Sequence, residues 1–172
     1  MVGLMIGTVA PVAAGEAGAR EPFTWSTPLR HEPGLLGELR RSNHELLMSY
    51  TVASHAAQRG SFAAAALAIS RCARQIHAVQ RLEALRLYPP ISRCMANDPE
   101  TMTTVSGLRR EANALARRFL RLTEGWYGAP QALPSAAMTA EAEALLKRYL
   151  AQKGSRLYRF YALIATMDAG SP

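Results

Sequence analysis

Four stretches of this chain carry apolar residues at alternating steps of three and four, and nothing between them shows the period of two that a half-buried strand requires. The first stretch puts Leu36, Leu39, Asn43, Leu46, Leu47, Tyr50, Ala53 and Ala57 on one stripe, between Glu32-Pro33, where proline suits a first helical turn, and Gly60. The second starts at Ser61 and aligns Phe62, Ala65, Ile69, Cys72, Ile76, Val79, Glu83 and Leu87. It is expected to stop at Tyr88-Pro89-Pro90, because a residue before proline avoids the helical region. Asp98-Pro99-Glu100 offers an N-cap, a first-turn proline and an early carboxylate to a third run. That run passes through Leu108, Ala112, Leu115, Phe119, Leu122 and Trp126, with Gly125 and Gly128 as its stop. After a loop over 128–138, the fourth aligns Ala142, Leu146, Tyr149, Lys153, Leu157, Phe160, Ile164 and Met167. Four amphipathic helices with mostly short connections predict an all-α fold, packed as an antiparallel up-down four-helix bundle over 31–170. Residues 1–30 are rich in Gly, Ala, Pro and Thr without periodicity and read as a flexible N-terminal arm.

Length and composition agree with one domain: 172 residues, 49% hydrophobic, can bury a sizeable core. The formal charge is +7, and eighteen of the twenty basic residues are arginine. The surplus concentrates in 61–97, where five arginines face Glu83 alone, so Arg71, Arg74 and Arg81 form a candidate face for an acidic protein partner. Nucleic acid is not the expected partner, because no aromatic residues interleave with these arginines. Cys72 and Cys94 are too few and too far apart along one helix for a disulfide scaffold, and reduced thiols suggest a cytoplasmic protein. The opening apolar stretch lacks a basic n-region, and no segment approaches the length of a membrane span.

The helices also echo one another. Leu39-Arg40-Arg41 followed by Leu46 returns as Leu108-Arg109-Arg110 followed by Leu115, and Arg86-Leu87-Tyr88 returns as Arg159-Phe160-Tyr161, at offsets of 69 and 73 residues. This reads as a doubled helical hairpin.

Asn43-His44-Glu45-Leu46-Leu47 in the first helix, and Glu83 followed by Leu87-Tyr88-Pro89 at the end of the second, resemble segments of the hemerythrin-like (HHE cation-binding) family. The resemblance implies two helical hairpins around a di-iron centre, and it makes His44, His77 and Glu83 the candidate metal ligands. The donors are otherwise scarce. At about 100° per residue Asn43, not His44, shares a side with Leu39, Leu46 and Tyr50. The matching third-helix position is Ala112, the histidine spacing back from Glu83 falls on Val79, and the fourth helix offers Gln152 and Lys153.

Glu83 and Lys153 are charges on otherwise apolar stripes, and an unpaired buried charge costs several kcal/mol. They are therefore expected to pair at the bundle centre with Asn43 or Tyr50, the ammonium standing where a metal cation would. The spacing turns Tyr158 off the inner stripe, where with Trp25, Trp126 and Tyr127 it makes a candidate contact patch, while core or loop packing is the favoured reading of each of them singly. The functional expectation is a non-enzymatic binding or regulatory protein without a cofactor. Two alternatives stand: an iron-holding sensor or carrier of oxygen, nitric oxide or redox state, and a small-molecule pocket opened at the centre where Ala112 and Val79 replace bulkier ligands.

Overall fold

The computed structural model describes residues 31–128 and 134–169. The expected arm over 1–30, and Trp25 with it, lies outside the described residues. Every element is helical: α1 (Leu35–Gln58), α2 (Phe62–Leu82), α3 (Tyr88–Cys94), α4 (Pro99–Gly128), α5 (Ala136–Gln152) and α6 (Tyr158–Ala169). Two short π-helical segments, Glu83–Leu87 and Lys153–Leu157, join α2 to α3 and α5 to α6, so the six helices make four continuous rods. Among the described residues there is no strand, and no helix is long and apolar enough to cross a membrane.

Local chemistry sets the rod ends. Gly60 lies at φ +74°, the left-handed region that only glycine enters cheaply. Its N–H donates to the Ala57 carbonyl, and that of Ser61 to Ala56, a Schellman closure that turns the chain from α1 into α2 within three residues. Asp98 caps α4, accepting from the Thr101 N–H at 2.9 Å and its hydroxyl at 2.6 Å. Ser135 does the same for α5 through the Met138 N–H. At the start of α1, Arg86 pairs with both Glu32 and Glu38, and the Glu32 N–H donates to the Tyr161 hydroxyl at 2.8 Å, so three rods are tied at one end.

α1 lies against α2, α2 against α4, α4 against α5 and α5 against α1, while α3 lies against α6. Two apolar clusters fill the space enclosed. One holds Leu46, Tyr50, Ile69, Ile76, Phe119 and Leu146; the other holds Leu35, Leu39, Leu87, Ile91, Leu157 and Tyr161. Each fully buried leucine or isoleucine contributes about 1.5–3 kcal/mol relative to exposure, so packing dominates the fold. Asn43, Glu83 and Lys153 fall at the junction of the two clusters.

The π-segments correct three sequence-based expectations. The second rod does not stop at Tyr88-Pro89-Pro90 but runs on to Cys94. Across the wide turn the Tyr88 N–H reaches back five residues to the Glu83 carbonyl, and the prolines then occupy the first positions of α3, where no N–H is needed. In the fourth rod the extra residue advances the buried stripe by one position. Tyr158 and Tyr161 therefore enter the core and Phe160 is left half-buried, so Tyr158 belongs to no exposed patch; Trp126 is buried as well. Finally, the true echo of Arg86-Leu87-Tyr88 is Arg156-Leu157-Tyr158, at an offset of 70 residues rather than 73. At that offset Cys72, Ile76, Val79, Glu83, Leu87, Tyr88 and Ile91 match Ala142, Leu146, Tyr149, Lys153, Leu157, Tyr158 and Tyr161, all buried. Gly125 also fails to end the third helix, which continues to Gly128.

Candidate functional site

Glu83 and Lys153 are each the first residue of a π-segment, and each faces the interior. The Lys153 ammonium lies 2.7 Å from Glu83 Oε1, with both side chains buried. It also donates to the Tyr149 hydroxyl at 2.9 Å, one helical turn back, and sits 4.5 Å from the centre of that ring. The Tyr158 hydroxyl donates to the same Glu83 Oε1 at 2.9 Å, and Asn43 Nδ2 donates to the Tyr158 oxygen at 3.0 Å. A connected polar group thus links α1, the second rod and the fourth. Asn43 Oδ1 is buried and has no hydrogen-bond partner among the described residues.

Burial sets the electrostatics. It pulls the Lys153 pKa below the ordinary lysine value, against the Glu83 carboxylate, which pulls it back up. Burial, with the same carboxylate second, pushes the Tyr149 and Tyr158 hydroxyls above theirs, so both stay protonated and able to donate. The pair is neutral as a unit, and its attraction at 2.7 Å offsets a desolvation cost of several kcal/mol per ion. Lys153 is 0% exposed, so its amine is not presented to a substrate. The arrangement ties three rods together through buried polar contacts.

The remaining candidates are placed as follows. Tyr50 does not join this group: its hydroxyl donates instead to the Thr139 carbonyl at 2.6 Å, two turns away along α1. His44 and His77 are exposed on the outer faces of α1 and α2 and are not brought to Glu83. Among the described residues no three His, Cys, Asp or Glu side chains gather as a metal would need. The residues present therefore do not fit a di-iron centre, and the space beside Glu83 is taken by an ammonium. Val79 and Ala112 are buried and belong to different apolar clusters. Arg71, Arg74 and Arg81 are all exposed on α2, which contains no acidic residue from end to end.

Sequence reasoning missed Tyr149 and Tyr158 as members of the site. Tyr149 lies four residues before Lys153 on the same stripe, and Tyr158 ends the second Arg-Leu-Tyr; both signals were present. Comparison with protein-family models, with curated proteins and with solved structures finds no match for the chain.

Proposed function

We propose that this protein is an antiparallel, up-down four-helix bundle of hemerythrin-like plan whose metal position has passed to the Lys153–Glu83 pair. It acts as a non-enzymatic binding or regulatory module. The observation that carries this reading is the fully buried ammonium 2.7 Å from the carboxylate at the junction of the two core clusters. A cation is required there to balance Glu83, and the chain supplies its own. The contact surface is the acid-free outer face of α2, where Arg71, Arg74 and Arg81 project toward an acidic protein partner.

Elemental analysis of the purified protein tests the first half. The expected result is no stoichiometric iron and an unchanged helical signal in chelator. Stoichiometric iron, or an oxo-bridged absorption band, overturns it. Replacing Arg71, Arg74 and Arg81 together by glutamine tests the second half, through salt-sensitive capture of acidic protein by the purified chain. Loss of capture is expected, and equal capture by the triple variant defeats the assignment of that face.

A further inference from the structure

A cleft of about 280 Å³ opens between α2 and α4, lined by Gln80, Glu83, Tyr88, Arg109, Asn113 and Arg117. Its size is near the lower end of ligand clefts, which run from about 300 to 1,000 Å³, and suits a small metabolite. Arg109, Asn113 and Arg117 are spaced four residues apart, so they line the α4 wall as one ridge. Neither arginine has a carboxylate within ion-pair distance among the described residues, although Arg118 next door is paired with Glu141. Arg109 is held in place by the Tyr88 ring, 4.3 Å beneath its guanidinium carbon, which occupies a face and leaves the N–H edge for a ligand.

The facing wall differs in kind. Gln80 Nε2 donates to Asn113 Oδ1 at 3.1 Å, bridging the two helices. That bond consumes one group on each side and leaves Gln80 Oε1 as an acceptor and Asn113 Nδ2 as a donor. At the base of the cleft, Glu83 uses Oε1 for both Lys153 and Tyr158. Its other oxygen, Oε2, takes no hydrogen bond from the described residues, and the side chain is 4% exposed. Donors and positive charge thus line α4, while acceptors line α2.

The ligand that complements such walls carries carboxylates on one side and a cationic donor on the other. We propose that this cleft binds a small amino dicarboxylate, its carboxylates on Arg109 and Arg117 and its ammonium on Glu83 Oε2 and Gln80 Oε1. The two free guanidinium groups match two carboxylates. Because Lys153 already balances Glu83, the single ammonium needs only the second oxygen as an acceptor and disturbs no existing bond. This site is independent of the outer arginine face, and it rests on the Lys153–Glu83 pairing of the proposed function, which elemental analysis tests separately.

Calorimetric titration of the full chain at low salt, with L-glutamate and with glutarate, tests it. Glutarate is the same dicarboxylate without the amine. L-glutamate is expected to bind with a dissociation constant of about 0.1–1 mM and glutarate about tenfold more weakly. Arg109→Gln and Arg117→Gln, both at exposed positions, are each expected to weaken both ligands about tenfold. Gln80→Met is expected to weaken L-glutamate alone and narrow its advantage over glutarate. Arg148→Gln, at an exposed position on α5, leaves both affinities unchanged. Failure of L-glutamate to bind at about 10 mM overturns the site. Equal affinity for glutarate overturns the role given to Glu83 and Gln80, and unaltered binding in both arginine variants overturns the role of the α4 wall.

Discussion

The two halves, 35–94 and 99–169, repeat one order of helices and divide the chemistry between them. Each widens its second rod into a π-turn at the same point, and each follows that turn with Leu-Tyr directed into the core. At the equivalent positions, however, the first hairpin brings Asn43 and Glu83 while the second brings Ala112 and Lys153. Two copies of the first would bury two carboxylates together, and two copies of the second would bury two ammonium groups. Either arrangement leaves a desolvated charge uncompensated. Geometric equivalence therefore does not make the halves interchangeable: each carries a defect that only the other repairs.

The strongest way to break this comparison is to remove one charge. Lys153→Met leaves Glu83 buried and unpaired, at an expected cost of about 3–5 kcal/mol in urea unfolding followed by circular dichroism. The Glu83→Leu, Lys153→Met double variant is expected to regain most of that loss, since an apolar pair of similar volume needs no partner. A cost below about 1 kcal/mol for the single variant would mean that the pair is solvated in solution.

The two Leu-Tyr pairs sharpen the contrast. Tyr158→Phe removes the donor to Glu83 and the acceptor for Asn43, and is expected to cost about 1–3 kcal/mol. Its equivalent, Tyr88→Phe, breaks no hydrogen bond among the described residues and is expected to change stability by less than about 0.5 kcal/mol. Equal effects would show that the two hydroxyls do the same job.

Cys72 stands opposite Ala142 in the repeat, and burial pushes its thiol from 9.0 up to about 12. The unfolded chain releases this proton first, so the folded state binds more protons within that window and stability falls as pH rises through it. The slope from this group is at most about 1.4 kcal/mol per pH unit. Lys153, lowered by burial, contributes in the opposite sense below its ordinary value of 10.5. Comparing the alkaline unfolding of Cys72→Ala with that of the parent isolates the thiol, and identical pH profiles would remove it from the account. A small effect of the opposite sign is expected at Gly154, whose counterpart is already Ala84. A methyl group there meets open space, so Gly154→Ala should stabilise by about 0.5–1 kcal/mol, read as a rise in the thermal midpoint. A loss of stability would show that the π-turn depends on glycine.

The four stripes, the caps at Asp98 and the turn at Gly60 were legible because each is a local rule written in neighbouring residues. Glu83 and Lys153 were legible for a related reason: a charge among leucines must find a partner, and the stripes placed both inside. The π-turns were not. Periodicity arguments count at 3.6 residues per turn, and one extra residue shifts every later position without leaving a mark in composition. In the fourth rod that slip misplaced Tyr158, Tyr161 and Phe160 together, while in the second Pro89 and Pro90 looked like an end because a residue before proline disfavours the helical region. The recurrence of Arg-Leu-Tyr at 86–88 and 156–158 was the available clue. The cleft on α4 lay further from view, because Arg109 and Arg117 sit among other exposed arginines and only the packing of α2 against α4 separates them from the rest.

The wide turns also impose a constraint of an unusual sort. Ala84, Leu85, Gly154 and Ser155 all face solvent, where substitution is ordinarily cheap. Deleting any one of them would leave a helix just as continuous, yet would swing Tyr88 and Ile91, or Tyr158 and Tyr161, by about 100° into water. At these places the protein is indifferent to which amino acid it carries and strict about how many.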